Sequence, residues 1–157
     1  MKLLLPLALL ALASGKTTVT SRAGFAIPHE GPSGSASIVV DIVHTESGAT
    51  GTLTYAAEDH LEGDHAGAAR GPSAAFPHLL VRVRRFSEVA VDGGRVEVKG
   101  YGRLHDASVR VQAVLVDNAG TGKADTFAIT CKDPNGHVVY ERSASIETGD
   151  IAVRRDP

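Results

Sequence analysis

Apolar and polar residues alternate with a period of two along most of the chain between Arg95 and Tyr140. In an extended strand this period puts apolar side chains on one face and polar ones on the other, whereas a helix needs apolar residues three and four positions apart. β-Branched residues, which suit a pleated and partly buried surface, are frequent in the same segments. The alternation predicts strands at residues 95–102, 108–116 and 124–132, with another beginning at residues 138–140.

Short turns separate these segments. Asp92-Gly93-Gly94 carries the Asp-Gly pair that is typical of a tight hairpin. Asp133-Pro134-Asn135-Gly136 combines a Pro, which fixes backbone φ, with Asn-Gly, which tolerates positive φ. The stretch therefore predicts an antiparallel meander of consecutive hairpins.

The rest of the chain carries the same signals less regularly. Residues 14–21 are polar and are interpreted as a short linker or a first strand edge, while residues 58–73 have no period and predict a long loop. Further strands are predicted at residues 22–29, 36–44, 51–56 and 79–86. Short strands at regular intervals, without a convincing helix or repeat, are typical of a β-sandwich or barrel. We predict one all-β domain over residues 22–154, an antiparallel β-sandwich or partly open barrel of about nine short strands, with a tail at residues 155–157.

Residues 1–13 have the parts of a secretory signal peptide. One basic residue, Lys2, precedes an apolar run at residues 3–12, and small residues stand at Ala11 and Ala13. The run is about half of the roughly 20 residues that a membrane-spanning helix needs. We expect cleavage near Ser14 and a bacterial protein that is secreted or periplasmic, with no membrane anchor after cleavage.

The composition limits the classes of partner that the chain is expected to bind and the bonds that it can form. The formal net charge is −2, with 22% charged residues, so the chain as a whole lacks the basic balance of a nucleic-acid-binding protein. Cys131 is the only cysteine, so no intramolecular disulfide can form. Because it shares an apolar row with Phe127 and Ile129, we expect a buried and unreactive thiol.

Two clusters offer metal ligands. Residues 58–65 hold His60, His65 and four carboxylates, which are ordinary ligands of divalent metals. Their spacing fits neither the helical His-Glu-x-x-His motif nor the calcium loop, so a solvated acidic loop is the alternative. Asp117 and Asp125 flank a Gly-rich turn, where their oxygens either bind calcium or fix the turn by bonding the backbone.

Other candidate sites are less defined. Residues 82–85 contain three arginines, two of them on one face of an alternating strand, which we interpret as a solvated edge that discourages edge-to-edge pairing. With Trp absent, a sugar-stacking site has to use Tyr55, Tyr101 or Tyr140. No Gly-x-Ser-x-Gly elbow follows a strand, and we identify no catalytic residue.

Several turn and strand residues of the C-terminal part form a pattern that resembles one found in a known family. In order they are Gly100-Tyr101-Gly102, Asp117, Gly120 and Gly122, Asp125-Thr126-Phe127-Ala128-Ile129, Gly136-His137-Val138-Val139-Tyr140 and Gly149-Asp150-Ile151. The pattern resembles the C-terminal part of the post-COAP domain family, β-rich modules of exported bacterial proteins whose function is not established. Where that family usually has an aromatic residue, an Asp-Asn pair and a terminal His, this chain has Lys132, Glu141-Arg142 and Val153-Arg154. The resemblance implies the fold and the export, and it implies no reaction.

We therefore expect an exported, non-catalytic β-module, either binding or structural, with an unidentified extracellular or periplasmic ligand and no cofactor. One alternative is a binding module that depends on a divalent metal, calcium or zinc. Its candidate ligands are Asp117, Asp125, His60 and His65. The other alternative is a secreted hydrolase whose motif is not recognised.

Overall fold

The computed structural model describes residues 15–27, 34–57 and 79–156, and all regular secondary structure in those residues is β-strand. The strands are β1 Thr17–Ile27, β2 Gly34–Thr45, β3 Gly48–Ala57, β4 Leu79–Asp92, β5 Arg95–Leu104, β6 Ala107–Val116, β7 Thr126–Lys132, β8 Val138–Ser145 and β9 Thr148–Arg155. Every neighbouring pair is antiparallel, in the order β8-β7-β6-β5-β4-β3-β2-β1-β9. The predicted all-β antiparallel fold of about nine strands is confirmed.

The nine strands form one sheet that curls into a half-barrel, which corresponds to the partly open barrel of the two predicted architectures. Apolar side chains on the inner face make the core, and polar ones cover the outer face. β2 shows this most regularly, since buried and exposed residues alternate from Gly34 to Ile42. The curl thus follows from period-two patterning, because each strand has only one face to bury.

An aromatic cluster fills the inside of the curl. Phe25 of β1, Tyr55 of β3, Phe127 of β7 and Tyr140 of β8 bring their ring centroids within 5.7–6.4 Å of one another in four pairs. The hydroxyls of Tyr55 and Tyr140 share a buried hydrogen bond of 2.7 Å. These contacts join strands from both halves of the sheet order across the interior.

Both predicted turns are present. Gly93 and Gly94 connect β4 directly to β5, and Gly93 has a φ of 56°. In the turn between β7 and β8, the Asp133 carboxylate accepts the His137 backbone N–H at 2.9 Å and lies 3.2 Å from its ring Nδ1. The backbone hydrogen bond from His137 is the main cause of a lowered pKa at Asp133.

Most strand ends differ from the predictions by one to three residues, and β1, β4 and β9 differ more. β1 begins at Thr17, within the stretch interpreted as a linker or first strand edge, and β9 includes Arg155 of the predicted tail. No separate strand was predicted at β9, and its residues show no burial alternation. β4 continues past its predicted end at Phe86 to Asp92. Two β-bulges interrupt the alternation of apolar and polar residues there, while the strand stays paired with β5.

The predicted signal peptide at residues 1–13 and the predicted loop at residues 58–73 lie outside the described residues. Within the described ranges, no helix is long and apolar enough to cross a membrane.

Candidate functional site

A groove of about 880 Å³ runs over the outer face of β4, β5 and β6, and we call it the arginine groove. Its cationic side chains are Arg82, Arg84, Arg85, Arg103 and Arg110. Strands β4 and β5 supply most of them, so the site sits on the middle of the sheet. The sequence suggested only part of this set, the run at residues 82–85.

A β-bulge places all three arginines of β4 on the groove. Val83 pairs with Gly102 and Arg85 pairs with Tyr101, so Arg84 is an extra residue in the ladder. Strict alternation after the buried Val83 would turn Arg85 inward, whereas the bulge returns it to the outer face. The expectation that only two of these arginines share a face is therefore wrong.

The interpretation of this run as a strand edge is wrong for Arg82. Arg82 pairs with Thr54 of β3 on one side and with Arg103 of β5 on the other. β4 is therefore an interior strand at this position, in the middle of the sheet order. Arg84 and Arg85 lie beyond Val83, the last residue of β4 that pairs with β3, so protection against edge-to-edge pairing can account for their charge but not for that of Arg82.

Glycines in β5 make room for the bulged strand. A Cβ at Gly102 would lie 2.5 Å from the carbonyl oxygen of Arg82, and one at Gly100 would lie 2.8 Å from a methyl group of Val83. Any side chain at either position would push β4 away from β5. Gly inside a strand is a known signal of a bulge or a close backbone approach, so Gly100-Tyr101-Gly102 is the sequence feature that could have revealed the site.

A cross-strand row crosses the groove floor. Pairing aligns Arg85 of β4, Tyr101 of β5, Arg110 of β6 and Lys132 of β7, on strands about 4.8 Å apart. Tyr101 is 57% exposed, whereas Tyr55 and Tyr140 are buried, so it is the one sugar-stacking candidate of the three that faces solvent. A second cavity of about 170 Å³ lies on the other side of Tyr101 and shares Arg110 with the first.

Few acidic groups balance this charge. Arg103 Nη2 donates to the Asp106 carbonyl at 2.7 Å and lies 4.0 Å from its carboxylate, which is fully exposed. Among the described residues, no carboxylate forms an ion pair with Arg82, Arg84 or Arg85. Within the described part of the chain, the groove therefore presents three guanidinium groups without a carboxylate partner, and their planar donor forks fit carboxylate, sulfate and phosphate oxygens.

The two metal candidates that the structure describes lie together and bond the backbone. Asp125 accepts the N–H groups of Asn118 and Ile151, each at 2.8 Å. Asp117 accepts those of Ala119 at 2.8 Å and Val153 at 3.0 Å. Each carboxylate thus uses one oxygen for its own loop and the other for β9. We call this arrangement the aspartate latch.

The aspartate latch supplies hydrogen-bond acceptors to N–H groups on the outer edge of β9. That strand pairs with β1 on one side only, so alternate N–H groups on its other side need acceptors. Ile151 and Val153, two positions apart, find them in Asp125 and Asp117. Of the two roles predicted for these aspartates, backbone bonding is observed, and it ties the β6–β7 loop to the last strand.

A third carboxylate stands beside the latch. The pKa of Asp150 is raised, first by a side-chain hydrogen bond with Asp125 and then by partial desolvation and the charges of Asp125 and Asp117. In the ranges with described structure, no three His, Cys, Asp or Glu side chains are grouped to hold a metal ion. The other metal candidates, His60 and His65, lie outside those ranges, and the metal site stays a prediction.

Cys131 is fully buried on the inner face of β7, as predicted. Burial raises its thiol pKa to about 12, so the reactive thiolate does not form near neutral pH.

The chain matches no model of a known protein family, no curated protein and no solved structure. The resemblance over residues 100–153 therefore stays a prediction, and function has to be argued from the geometry of the groove.

Proposed function

We propose that this protein is an exported, non-catalytic binding module that holds an anionic ligand in the arginine groove. The observation that supports this most directly is the cross-strand pair Arg82–Arg103, with Arg84 and Arg85 beside it and no described ion-pair partner for the three residues of β4. Like charges directly opposite on neighbouring strands destabilise a sheet. A bound anion offsets that repulsion, so anion binding accounts for the arrangement.

The groove has the size and chemistry of a ligand site. Its volume lies in the range of about 300–1,000 Å³ that is usual for ligand pockets. Converging guanidinium groups raise the local concentration of anions and fix their orientation through paired hydrogen bonds. The resemblance to the post-COAP domain family, which implies export and no reaction, is compatible with a binding role.

A hydrolase is the second candidate, because His105, Asp106 and Ser108 also line the groove. Nucleophilic catalysis needs the base within hydrogen-bond reach of the nucleophile. All three side chains are exposed, and none of the hydrogen bonds between described residues joins them. The binding role is therefore the one that we propose.

Calorimetric titration of the protein with pyrophosphate and with citrate at low salt tests the proposal. We expect both anions to bind and the double variant Arg82→Gln/Arg85→Gln to bind at least about tenfold more weakly, because each charged hydrogen bond contributes about 1.5–3 kcal/mol. The matched control is Arg22→Gln/Arg154→Gln, which removes the same charge from exposed positions on β1 and β9. Absence of binding, or equal weakening in both variants, would overturn the proposal.

A further inference from the structure

We propose that the anionic ligand is an acidic polysaccharide, a linear chain of sugar rings that carry carboxylate or sulfate groups. This inference rests on the proposed anion-binding function and specifies the ligand of the same groove. Three observations support the inference: the shape of the site, the position of Tyr101, and the pairing of the strands beneath the groove.

The shape of the site favours an elongated ligand. The two cavities lie on either side of Tyr101 and share both Tyr101 and Arg110. Together they make a track across β4, β5, β6 and β7. A small anion occupies one part of such a track, whereas a polymer contacts all of it.

The residues where the two cavities meet alternate in chemistry. Tyr101 lies between Arg85 and Arg110 in the cross-strand row, and Lys132 follows. An exposed aromatic ring offers a flat apolar surface to the C–H face of a sugar ring, while the flanking cations take its acidic substituents. Gln112 and Thr130 line the second cavity and supply uncharged partners for sugar hydroxyls.

Other polyanions fit less well. Single-stranded nucleic acid stacks successive bases on several aromatic side chains, and Tyr101 is the one exposed large aromatic residue in the described ranges. An extended acidic peptide gains affinity by adding to a strand edge. β5 and β6, which carry Tyr101 and Arg110, are each paired on both sides. The unpaired edge of β4 beyond Val83 lies one strand away from Tyr101, so a peptide added there does not cover the ring.

The test compares probes that separate charge from ring chemistry. Hexagalacturonate and a heparin hexasaccharide supply acidic sugar chains, and fully methyl-esterified hexagalacturonate supplies the same rings without charge. Linear polyphosphate and a poly-thymidine oligonucleotide supply charge on other backbones. Each is titrated into the protein and into Tyr101→Ala and Tyr101→Phe variants at a fixed, low salt concentration, because affinity for polyanions depends on salt.

We expect one of the two acidic sugars to bind at least about tenfold more tightly than polyphosphate and oligonucleotide, and the esterified sugar not to bind. Tyr101→Ala should weaken sugar binding about tenfold, because the ring face that contacts the sugar is removed, while Tyr101→Phe retains it. If polyphosphate or the oligonucleotide binds as tightly, or if Tyr101→Ala has no effect, the polysaccharide inference fails and anion binding stands. If no charged probe binds, both fail together.

Discussion

At the scale of single residues, a third carboxylate, Asp150, lies beside the two of the aspartate latch. Asp117 and Asp125 are each fixed by two backbone N–H donors, and Asp150 adds a third negative charge beside them. Its raised pKa reflects that arrangement. The folded protein therefore binds a proton at Asp150 more readily than the unfolded chain does, and the group contributes stability at low pH that is lost as pH rises through the folded pKa.

The variant Asp150→Asn should be more stable than the parent at pH 7, because the amide can donate to Asp125 and carries no charge. Since Asp150 is exposed, we expect an increase in Tm of only about 1–3 °C at low salt. The advantage should shrink as pH falls below the raised pKa, where the parent carboxyl is protonated. Thermal unfolding from pH 3 to pH 7 measures this, with Asp41→Asn on β2 as the exposed control. A constant difference at all pH values would contradict the coupling to Asp125.

At the scale of elements, β9 depends on a close approach to β1 at its first residues. Gly149 has a φ of 81°, and a Cβ there would meet the carbonyl oxygen of Arg22 and lie 2.9 Å from Cα of Ala23. Gly120, in the β6–β7 loop, has a similar φ of 76° with open space around it. Both glycines adopt a backbone conformation that is strained for a residue with a Cβ, but only Gly149 also has close neighbours. Substitutions at the two positions therefore distinguish the cost of backbone strain from that of a steric clash.

Replacing each glycine by alanine should give unequal costs. Gly120→Ala should lose about 1–2 kcal/mol, the cost of a left-handed conformation with a Cβ. Gly149→Ala should lose more, about 3 kcal/mol or above, because β1 or β9 must also move. Urea unfolding with a common m-value measures both losses. Equal losses would show that β9 does not lie against β1 as described.

The elements differ in how far sequence could predict them. β5, β6 and β7 alternate cleanly, so their existence and their hairpins followed from period and turn chemistry alone. The bulge in β4 did not, because its own residues do not mark it and the signal lies in the glycines of β5. The position of β9 did not, because it pairs with β1, which is distant in sequence. Asp117 was identified as a candidate residue, yet its bond to Val153 spans 36 positions that no local pattern connects. The groove was missed for the same reason, since three strands supply its arginines.

At the scale of the whole molecule, the curl of the sheet needs contacts between strands that do not pair. β3 and β8 are separated by four strands in the sheet, yet Tyr55 and Tyr140 meet in its interior. Twist alone bends a sheet, but a specific bond across the inside fixes how far the two halves approach. That curvature also shapes the outer face on which the arginine groove lies.

The Tyr55–Tyr140 bond can be tested with a double-mutant cycle of Tyr→Phe changes. Each single change removes one hydroxyl and leaves the other buried without this partner, which should cost about 1–3 kcal/mol. The double variant should lose less than the sum of the two, with a coupling energy of about 0.5–3 kcal/mol. Tyr101→Phe, at an exposed position, is the control and should change stability by less than about 0.5 kcal/mol.

Urea unfolding of the four proteins in the cycle gives the coupling energy directly. A coupling energy in that range means that β3 and β8 face each other across the interior of the curl in solution. Additive losses would mean that the two hydroxyls act independently and that the sheet is more open than described. In that case the curvature of the outer face, and with it the arrangement of Arg82, Tyr101 and Arg110, would also have to change. The interior bond is therefore a test of the binding surface as well as of the fold.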